Sequence, residues 1–240
     1  MSSFVPSPVD IFESGEAAVR VVATSGDAEH DWSTVHRLAE WLEQCGAEGL
    51  HGAVPTYDSV LVEFDALTLS ARQIRAFVGL GLRQLALAAD DGGAPREFDV
   101  PVVYGGTYGP DLEAVADHEG TSVDEIIRLH SSKTYVIRCL GAPAGSPMMD
   151  GPDFPRPVPR LKDPRLSVPA GAVAVAGRQA VIAPAAAPGG WQVIGQTPLV
   201  LLDVSRDPLV PYRPGDLLRF RPIPDEEFGD YAGRAMEARP

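Results

Sequence analysis

The sequence predicts an α+β protein in two parts, a small α/β N-terminal domain followed by a β-rich domain closed as a barrel or stacked as a sandwich. Three observations predict it. Strand and helix periodicities alternate from residue 17 to about residue 88 and then cease to alternate. Beyond that point, short aliphatic and β-branched runs recur between Gly/Pro turns. Glycine and proline, 24 and 23 of the 240 residues, make about a fifth of the chain where about 12% is usual, which means many turns and short elements.

After a Pro/Ser-rich start, residues 17–23 alternate as a strand, and Trp32, Val35, Leu38, Ala39, Leu42 and Cys45 recur at helical spacing until Gly46 stops the helix. Residues 50–54 and 59–64 read as strands around the turn Pro55-Thr56-Tyr57-Asp58. Ser70 with Gln73 forms a capping box that opens a second helix running to about Ala88. Residues 89–95 are polar and glycine-rich, a linker between domains 1–92 and 93–224. In the second domain two short helices, 111–118 and 122–130 with Thr121 as cap, interrupt strands at 100–104, 135–140, 172–176, 180–182, 191–194, 199–202 and 217–220. The charged, Gly-interrupted tail 225–240 is expected to fray.

The chain is long enough to bury a core without disulfides or a structural metal. Its 33 acidic residues against 20 basic ones give −13, which repels a polyphosphate backbone and an anionic lipid surface alike, so neither nucleic acid nor membrane is an expected partner. No uncharged apolar run reaches the roughly 18 residues of a membrane span, and the N-terminus lacks the pattern of an export signal. Cys45 and Cys139 stand outside any zinc spacing, so no metal is expected and a reducing cytoplasm suits them. No P-loop surrounds the two lysines, Lys133 and Lys162, Gly79-Leu80-Gly81 lies inside a predicted helix, and no G-x-S-x-G elbow occurs.

His118 and His130 each end a short helix, where an imidazolium favours the negative end of the dipole; a catalytic role is the alternative. His130 is the better catalytic candidate because Ser131, Ser132 and a strand follow it, at the mouth of the expected barrel. Between residues 154 and 202, Arg156, Arg160, Lys162, Arg165 and Arg178 face Asp163 alone. Arginine forks there could grip a carboxylate or phosphate, or the stretch is a solvated loop with proline spacers. Pro188-Gly189-Gly190-Trp191 is either a turn into a strand with an aromatic anchor or a glycine pair that lets a ligand approach the backbone.

The order of motifs is specific. Y-G-G-T-Y-G-P-D-L-E-A-V-A (104–116), V-D-E-I-I-R-L-H-S (123–131), V-P-A-G-A-V-A-V-A-G-R-Q (168–179), P-G-G-W-Q-V-I-G-Q-T-P-L (188–199) and R-P-G-D-L-L-R-F (213–220), with G-A-V-P-T-Y-D-S-V-L-V-E-F-D (52–65) before them, resemble the allophanate hydrolase subunit 1 family. Its members include the B subunit of 5-oxoprolinase, KipI-type histidine kinase inhibitors and one half of the carboxyltransferase domain of urea carboxylase. The resemblance, from about residue 17 to 223, implies a small α/β domain, a cyclophilin-like β-barrel and a C-type, allophanate hydrolase subunit 2-like partner that completes the active site. It implies a B-type subunit of an ATP-dependent amide-ring hydrolase similar to 5-oxoprolinase, acting with C-type and A-type subunits on a small anionic or amide substrate and inactive alone. An allophanate hydrolase or urea carboxylase-type carboxyltransferase subunit, and a non-catalytic KipI-like regulator, are the alternatives. ATP would serve the complex, with no site assigned on this chain. At matched positions His130 is expected to transfer a proton, and Asp111, Arg160, Arg165, Gln179, Gly189, Gly190 and Trp191 to contact substrate.

Four positions depart from the family pattern: Ala142, Ser146, Met148 and Ala183 stand where aromatic residues are typical. Fewer rings imply a wider, softer pocket. Met148, Met149 and Val158, apolar among prolines and glycines, are expected to face the partner.

Overall fold

In the computed structural model, which describes residues 4–87, 93–143 and 145–239, Val19, Val21 and Ala23 turn inward along a strand while Arg20 stays outside. The chain divides into two compact units, residues 1–93 and 94–240. The first contains β1 (Val9–Glu13), β2 (Ala18–Ala23), α1 (Ala28–Gln44), β3 (Leu50–Pro55), β4 (Ser59–Phe64) and α2 (Ala71–Leu87). Its sheet is antiparallel in the order β1-β2-β4-β3. Val35, Leu38, Ala39 and Leu42, one stripe of α1, are buried together with Ile74, Val78 and Leu85 of α2 and Val60, Val62 and Phe64 of β4. Asp27 caps α1 through the Glu29 and His30 amides. The capping box forms as expected, with Ser70 N donating to Gln73 Oε1 at 3.0 Å. β1 was not foreseen: it is an edge strand with a mostly uncovered burial pattern, so its residues show no clean alternation. Of the expected linker, residues 89–92 lie outside the described residues.

The second unit contains β5 (Glu97–Tyr104), α3 (Leu112–Glu119), α4 (Val123–Ser131), β6 (Thr134–Gly141), β7 (Ser146–Asp150), β8 (Arg165–Val168), β9 (Ala172–Ala176), β10 (Gln179–Ile182), β11 (Ala187–Gly189), β12 (Gln192–Gln196), β13 (Leu217–Pro222) and, after a 3-10 turn at Asp225–Glu227, α5 (Phe228–Tyr231). Seven strands close a barrel in the order β10-β7-β6-β13-β5-β12-β9. Phe98, Val100, Val102, Tyr135, Ile137, Met149, Val173, Val175, Ile182, Ile194, Leu218 and Phe220 fill it. Alternate residues of β9 and β12, Ala172, Ala174 and Val193, form a second small core with Val168 of the two-stranded ribbon β8–β11.

Register defines one end of the barrel. β5 finishes there at Tyr104 opposite Gly195, β12 begins there at Gln192 opposite Val175, and Gln179 of β10 pairs with both Ala176 and Asp150. The β6–β7 hairpin, Gly141 opposite Ser146, is at the other end.

Several sequence expectations need correction. Residues 199–202 form no strand, only a single bridge between Val200 and Ala235. β7, β8 and β11 occur where proline obscured the strand pattern. Ser122, not Thr121, caps α4 by accepting from Glu125 N. The tail does not fray: Met236 is 1% exposed and Ala238 bridges to Phe98, because the first half of β5 has no β12 partner and the tail takes that side. Met149 and Val158 are buried and cannot face a partner. No helix among the described residues is long and apolar enough to cross a membrane.

Candidate functional site

At the Tyr104 end of the barrel, the connection from β5 to α3 is pressed against β12. Gly109 makes this possible: a β-carbon there would lie 2.1 Å from Ile194 O. Asp111 follows at once and exchanges bonds with Val193, its N–H donating to Val193 O (3.0 Å) and its Oδ2 accepting from Val193 N (2.7 Å). The same carboxylate takes the fork of Arg165, Nη1 to Oδ2 at 2.8 Å and Nη2 to Oδ1 at 2.7 Å. Asp111 and Arg165, expected as separate substrate contacts, therefore satisfy each other. Arg165 opens β8, opposite Gly189 of β11, so the pair ties the ribbon to β12 and α3.

A loop of residues 151–164 crosses this end. Val158 and Gly177 exchange two backbone bonds, Leu161 N donates to Gly190 O at 2.7 Å, and Gln192 Nε2 donates to Pro159 O at 3.2 Å. These contacts set Arg160 above Trp191, Cζ to ring centroid 5.6 Å. Trp191 is half-buried against the outer core of Val168, Ala172, Ala174 and Val193. Arg160 and Lys162 are exposed and, among the described residues, have no carboxylate partner, in contrast with the paired Arg96, Arg128, Lys133, Arg138 and Arg165.

The glycine pair has a packing role. A β-carbon on Gly189 would meet Val168 Cγ2 at 3.1 Å, and one on Gly190 would meet Pro164 at 3.5 Å. Ribbon and loop pack against the two glycines. Gln179 is half-buried in the β9–β10 hairpin at the same end.

His130 belongs to the interior. It follows Ile126 by one turn on the inward stripe of α4, and it is 0% exposed. Its Nδ1 is 2.7 Å from Tyr104 Oη, its ring centroid is 4.4 Å from that of Phe220, and Tyr135 Oη donates to its backbone oxygen at 2.7 Å. Desolvation, reinforced by the Lys133 charge, pushes its pKa down to about 3 and keeps the ring neutral. Nε2 has no partner. In this chain the imidazole is sealed and neutral in the interior, not at the rim where the sequence expectation set it. His118 does outer work instead, its Nε2 lying 3.1 Å from Pro157 O in the crossing loop.

The substituted aromatic positions are elsewhere. Ala142 and Ser146 flank the β6–β7 hairpin, and Ala183 follows β10 where its N–H donates to Ala172 O, all at the end away from Arg160 and Trp191. Ser146 is buried with Oγ donating to Ile182 O at 2.8 Å, and Met148 is half-buried against Gly141. Of these positions, Ala183 packs against the same outer core of Val168, Ala172, Ala174 and Val193 as Trp191. Beside the hairpin, an apolar groove of about 280 Å³ is lined by Leu140, Gly145, Leu202, Leu209 and Val210.

Sequence reasoning missed Tyr104 and Glu119. Tyr104 opens the quoted Y-G-G-T-Y motif and could have been weighed; Glu119, whose Oε2 accepts from Arg156 N at 3.2 Å, carried no signal. No group of three or more metal-ligating side chains occurs among the described residues.

Known proteins place this geometry in a family. A curated relative, the 5-oxoprolinase B subunit of Bacillus subtilis (strain 168), is 33% identical over 208 residues, which are 82% of this chain and 85% of that protein. The solved protein TTHA0988 is 32% identical with a TM-score of 0.72 over 86% of this chain, which spans only 40% of that longer chain. The urea amidolyase of K. lactis, 18% identical, shares the fold over the whole of this chain and 16% of its own length, TM-score 0.76. Residues 9–212 match the family model of the carboxyltransferase domain, subdomain C and D, and the chain belongs to that family.

Proposed function

We propose that the chain is the B-type subunit of a heteromeric, ATP-dependent amide-ring hydrolase of the 5-oxoprolinase kind, working on a small anionic lactam with a C-type and an A-type subunit. Support comes from the name that its curated relatives share and, in this molecule, from one observation: an exposed guanidinium, without a carboxylate partner among the described residues, set over an indole ring, Arg160 on Trp191, at the barrel rim. 5-Oxoproline is a flat five-membered lactam with one carboxylate. The ring can lie against the indole while the guanidinium takes the carboxylate.

Ring opening adds water to the lactam carbonyl, breaks its C–N bond and delivers a proton to the departing amine. Water must be activated by a base, and His130, 0% exposed in this chain, is not at the surface that carries Arg160 and Trp191. The C-type subunit would supply that chemistry. The described residues are also a poor match to a nucleotide phosphate cradle: Lys133 is paired with Asp153 and Lys162 sits on a proline-flanked loop. ATP serves the complex, with no site assigned on this chain.

The test is reconstitution. Co-expression with cognate C-type and A-type subunits is expected to yield a complex that opens 5-oxoproline only with ATP, with a higher KM in Arg160→Ala. A complex inert toward 5-oxoproline but active on allophanate or urea would replace this function with the carboxyltransferase-type one.

A further inference from the structure

Helix α3 is bracketed by two buried carboxylates, Asp111 just before its first residue and Glu119 at its last, 6% and 9% exposed. Each holds the crossing loop at a different point. Asp111 takes the Arg165 fork, and Glu119 Oε2 accepts from Arg156 N, with His118 Nε2 beside it on Pro157 O. Arg156 itself lies at the C-terminal end of α3, where a β-carbon on Gly120 would be 3.7 Å from its Nη2 and where a cation favours the helix dipole. Between the two anchors the loop carries Arg160 across Trp191.

The chain between the anchors has length to spare. Nine residue steps from 156 to 165 reach about 30 Å when extended, whereas the eight residues of α3 rise only about 12 Å. Connectivity alone therefore leaves Arg160 free to wander; the bonds at Val158, Pro159 and Leu161 seat it locally, and the carboxylate anchors at 156 and 165 hold the two ends of the segment that makes those bonds. Burying the whole Glu119 side chain for one backbone bond, with Oε1 making no hydrogen bond and lying 3.7 Å from His118 Nε2, costs more than an apolar residue of similar size would. What the carboxylate adds is the fixed position of Arg156.

We propose that Asp111 and Glu119 are positioning residues that hold Arg160 over Trp191, with α3 as the rigid spacer between them. They act on the surface proposed as the seat of the acidic substrate, and the inference rests on that reading.

Two measurements separate the inference from its premise. With Trp32 and Trp41 replaced by phenylalanine, Trp191 is the only remaining tryptophan of three, and its quenching by iodide relative to uncharged acrylamide reports the nearby guanidinium in the purified full chain. Arg160→Ala sets the floor of that ratio. Glu119→Leu and Asp111→Asn are expected to fall toward the floor, and Glu119→Gln, which keeps an acceptor for Arg156 N, to restore the parent value. In the reconstituted complex Glu119→Leu and Asp111→Asn are expected to raise KM for 5-oxoproline about tenfold with kcat little changed, the loss of roughly one charge-assisted bond. An iodide ratio that stays at the parent value in folded Asp111→Asn and Glu119→Leu overturns the positioning role. An unchanged KM in Arg160→Ala overturns the substrate surface instead, whatever the iodide ratios show. If Glu119→Leu fails to fold, Asp111→Asn, nearly isosteric, decides alone.

Discussion

Tyr104 Oη and His130 Nδ1, 2.7 Å apart in the barrel interior, tie the end of β5 to the last turn of α4. Tyr104 is half-buried, the imidazole is 0% exposed, and the ring is held neutral with a pKa of about 3. In an unfolded chain the same ring titrates near 6.5. Below about pH 6.5 the unfolded state binds a proton that the folded state refuses, so stability from the neutral ring is complete above that pH and is lost as pH falls toward 3. Urea unfolding of the parent and of His130→Gln is expected to show a steeper acid loss in the parent. The variant should be about 1 to 3 kcal/mol less stable at pH 7, the usual cost of disturbing a buried hydrogen bond. In the reconstituted complex its kcat should remain within a few-fold of the parent; a drop of several hundredfold in a folded complex would return His130 to the catalytic machinery.

The C-terminal segment is predicted to be part of the barrel's cohesion. Met236 is 1% exposed, Arg239 N donates to Glu97 O at 2.7 Å, and the Arg239 guanidinium reaches Glu97 and Asp99 at 3.1 Å. Met236→Ala is expected to cost about 2 to 5 kcal/mol, the range for emptying a buried methionine site. Arg239→Ala, which removes exposed ion pairs, should change far less. An unaltered urea midpoint in Met236→Ala would mean that the segment detaches in solution.

How much of this was legible depended on whether the signal was local. Ser59–Phe64 and Ala172–Ala176 coincide with their expected bounds because alternation or a continuous small-aliphatic run is written in the strand itself. Strand periodicity alone left the second domain a barrel or a sandwich, since closure rests on β5 meeting both β13 and β12 across more than 90 residues; the family resemblance of the motifs implied the barrel, and the barrel is what forms. The strand β8 hid among prolines, and with it the place of Arg165 opposite Gly189. Asp111 and Arg165 were each singled out, yet sequence separation of 54 residues gives no hint that one answers the other. His130 misled because a helix-ending histidine looks the same whether its face turns in or out; the inward turn follows from Ile126 at the preceding turn.

Two glycines of α2 should respond oppositely to the same substitution. A β-carbon on Gly81 would lie 2.7 Å from Trp41 Cε3 and 2.8 Å from Leu38 Cδ1, whereas one on Gly79 would meet only Arg83 Nη1 at 3.6 Å, the tip of a flexible side chain. Gly79→Ala is therefore expected to stabilise by up to about 1 kcal/mol through helix propensity. Gly81→Ala gains the same propensity but forces α1 and α2 apart at a packed crossing, an overpacking cost of about 1 to 3 kcal/mol. Thermal melting should move up for the first variant and down for the second, and a shift upward for both would show that Trp41 yields without cost.

Arg160 on the crossing loop and Arg165, five residues on at the start of β8, should separate stability from binding. Arg165 spends its fork on Asp111, a carboxylate whose side chain is only 9% exposed. Removing the guanidinium leaves that charge with the single Val193 amide, and an under-satisfied buried acceptor costs about 1 to 3 kcal/mol. Lysine keeps the charge but offers a point donor where two parallel bonds are needed, so Arg165→Lys should recover only part of the loss. Arg160 has no carboxylate to abandon and its side chain lies over an exposed rim, so Arg160→Ala should leave the melting temperature near that of the parent while raising KM of the assembled enzyme. Differential scanning calorimetry of the purified chain beside steady-state kinetics of the complex distinguishes the two. If Arg165→Ala melts like the parent and only binding suffers, the fork is available to substrate and its hold on Asp111 is loose enough to be exchanged.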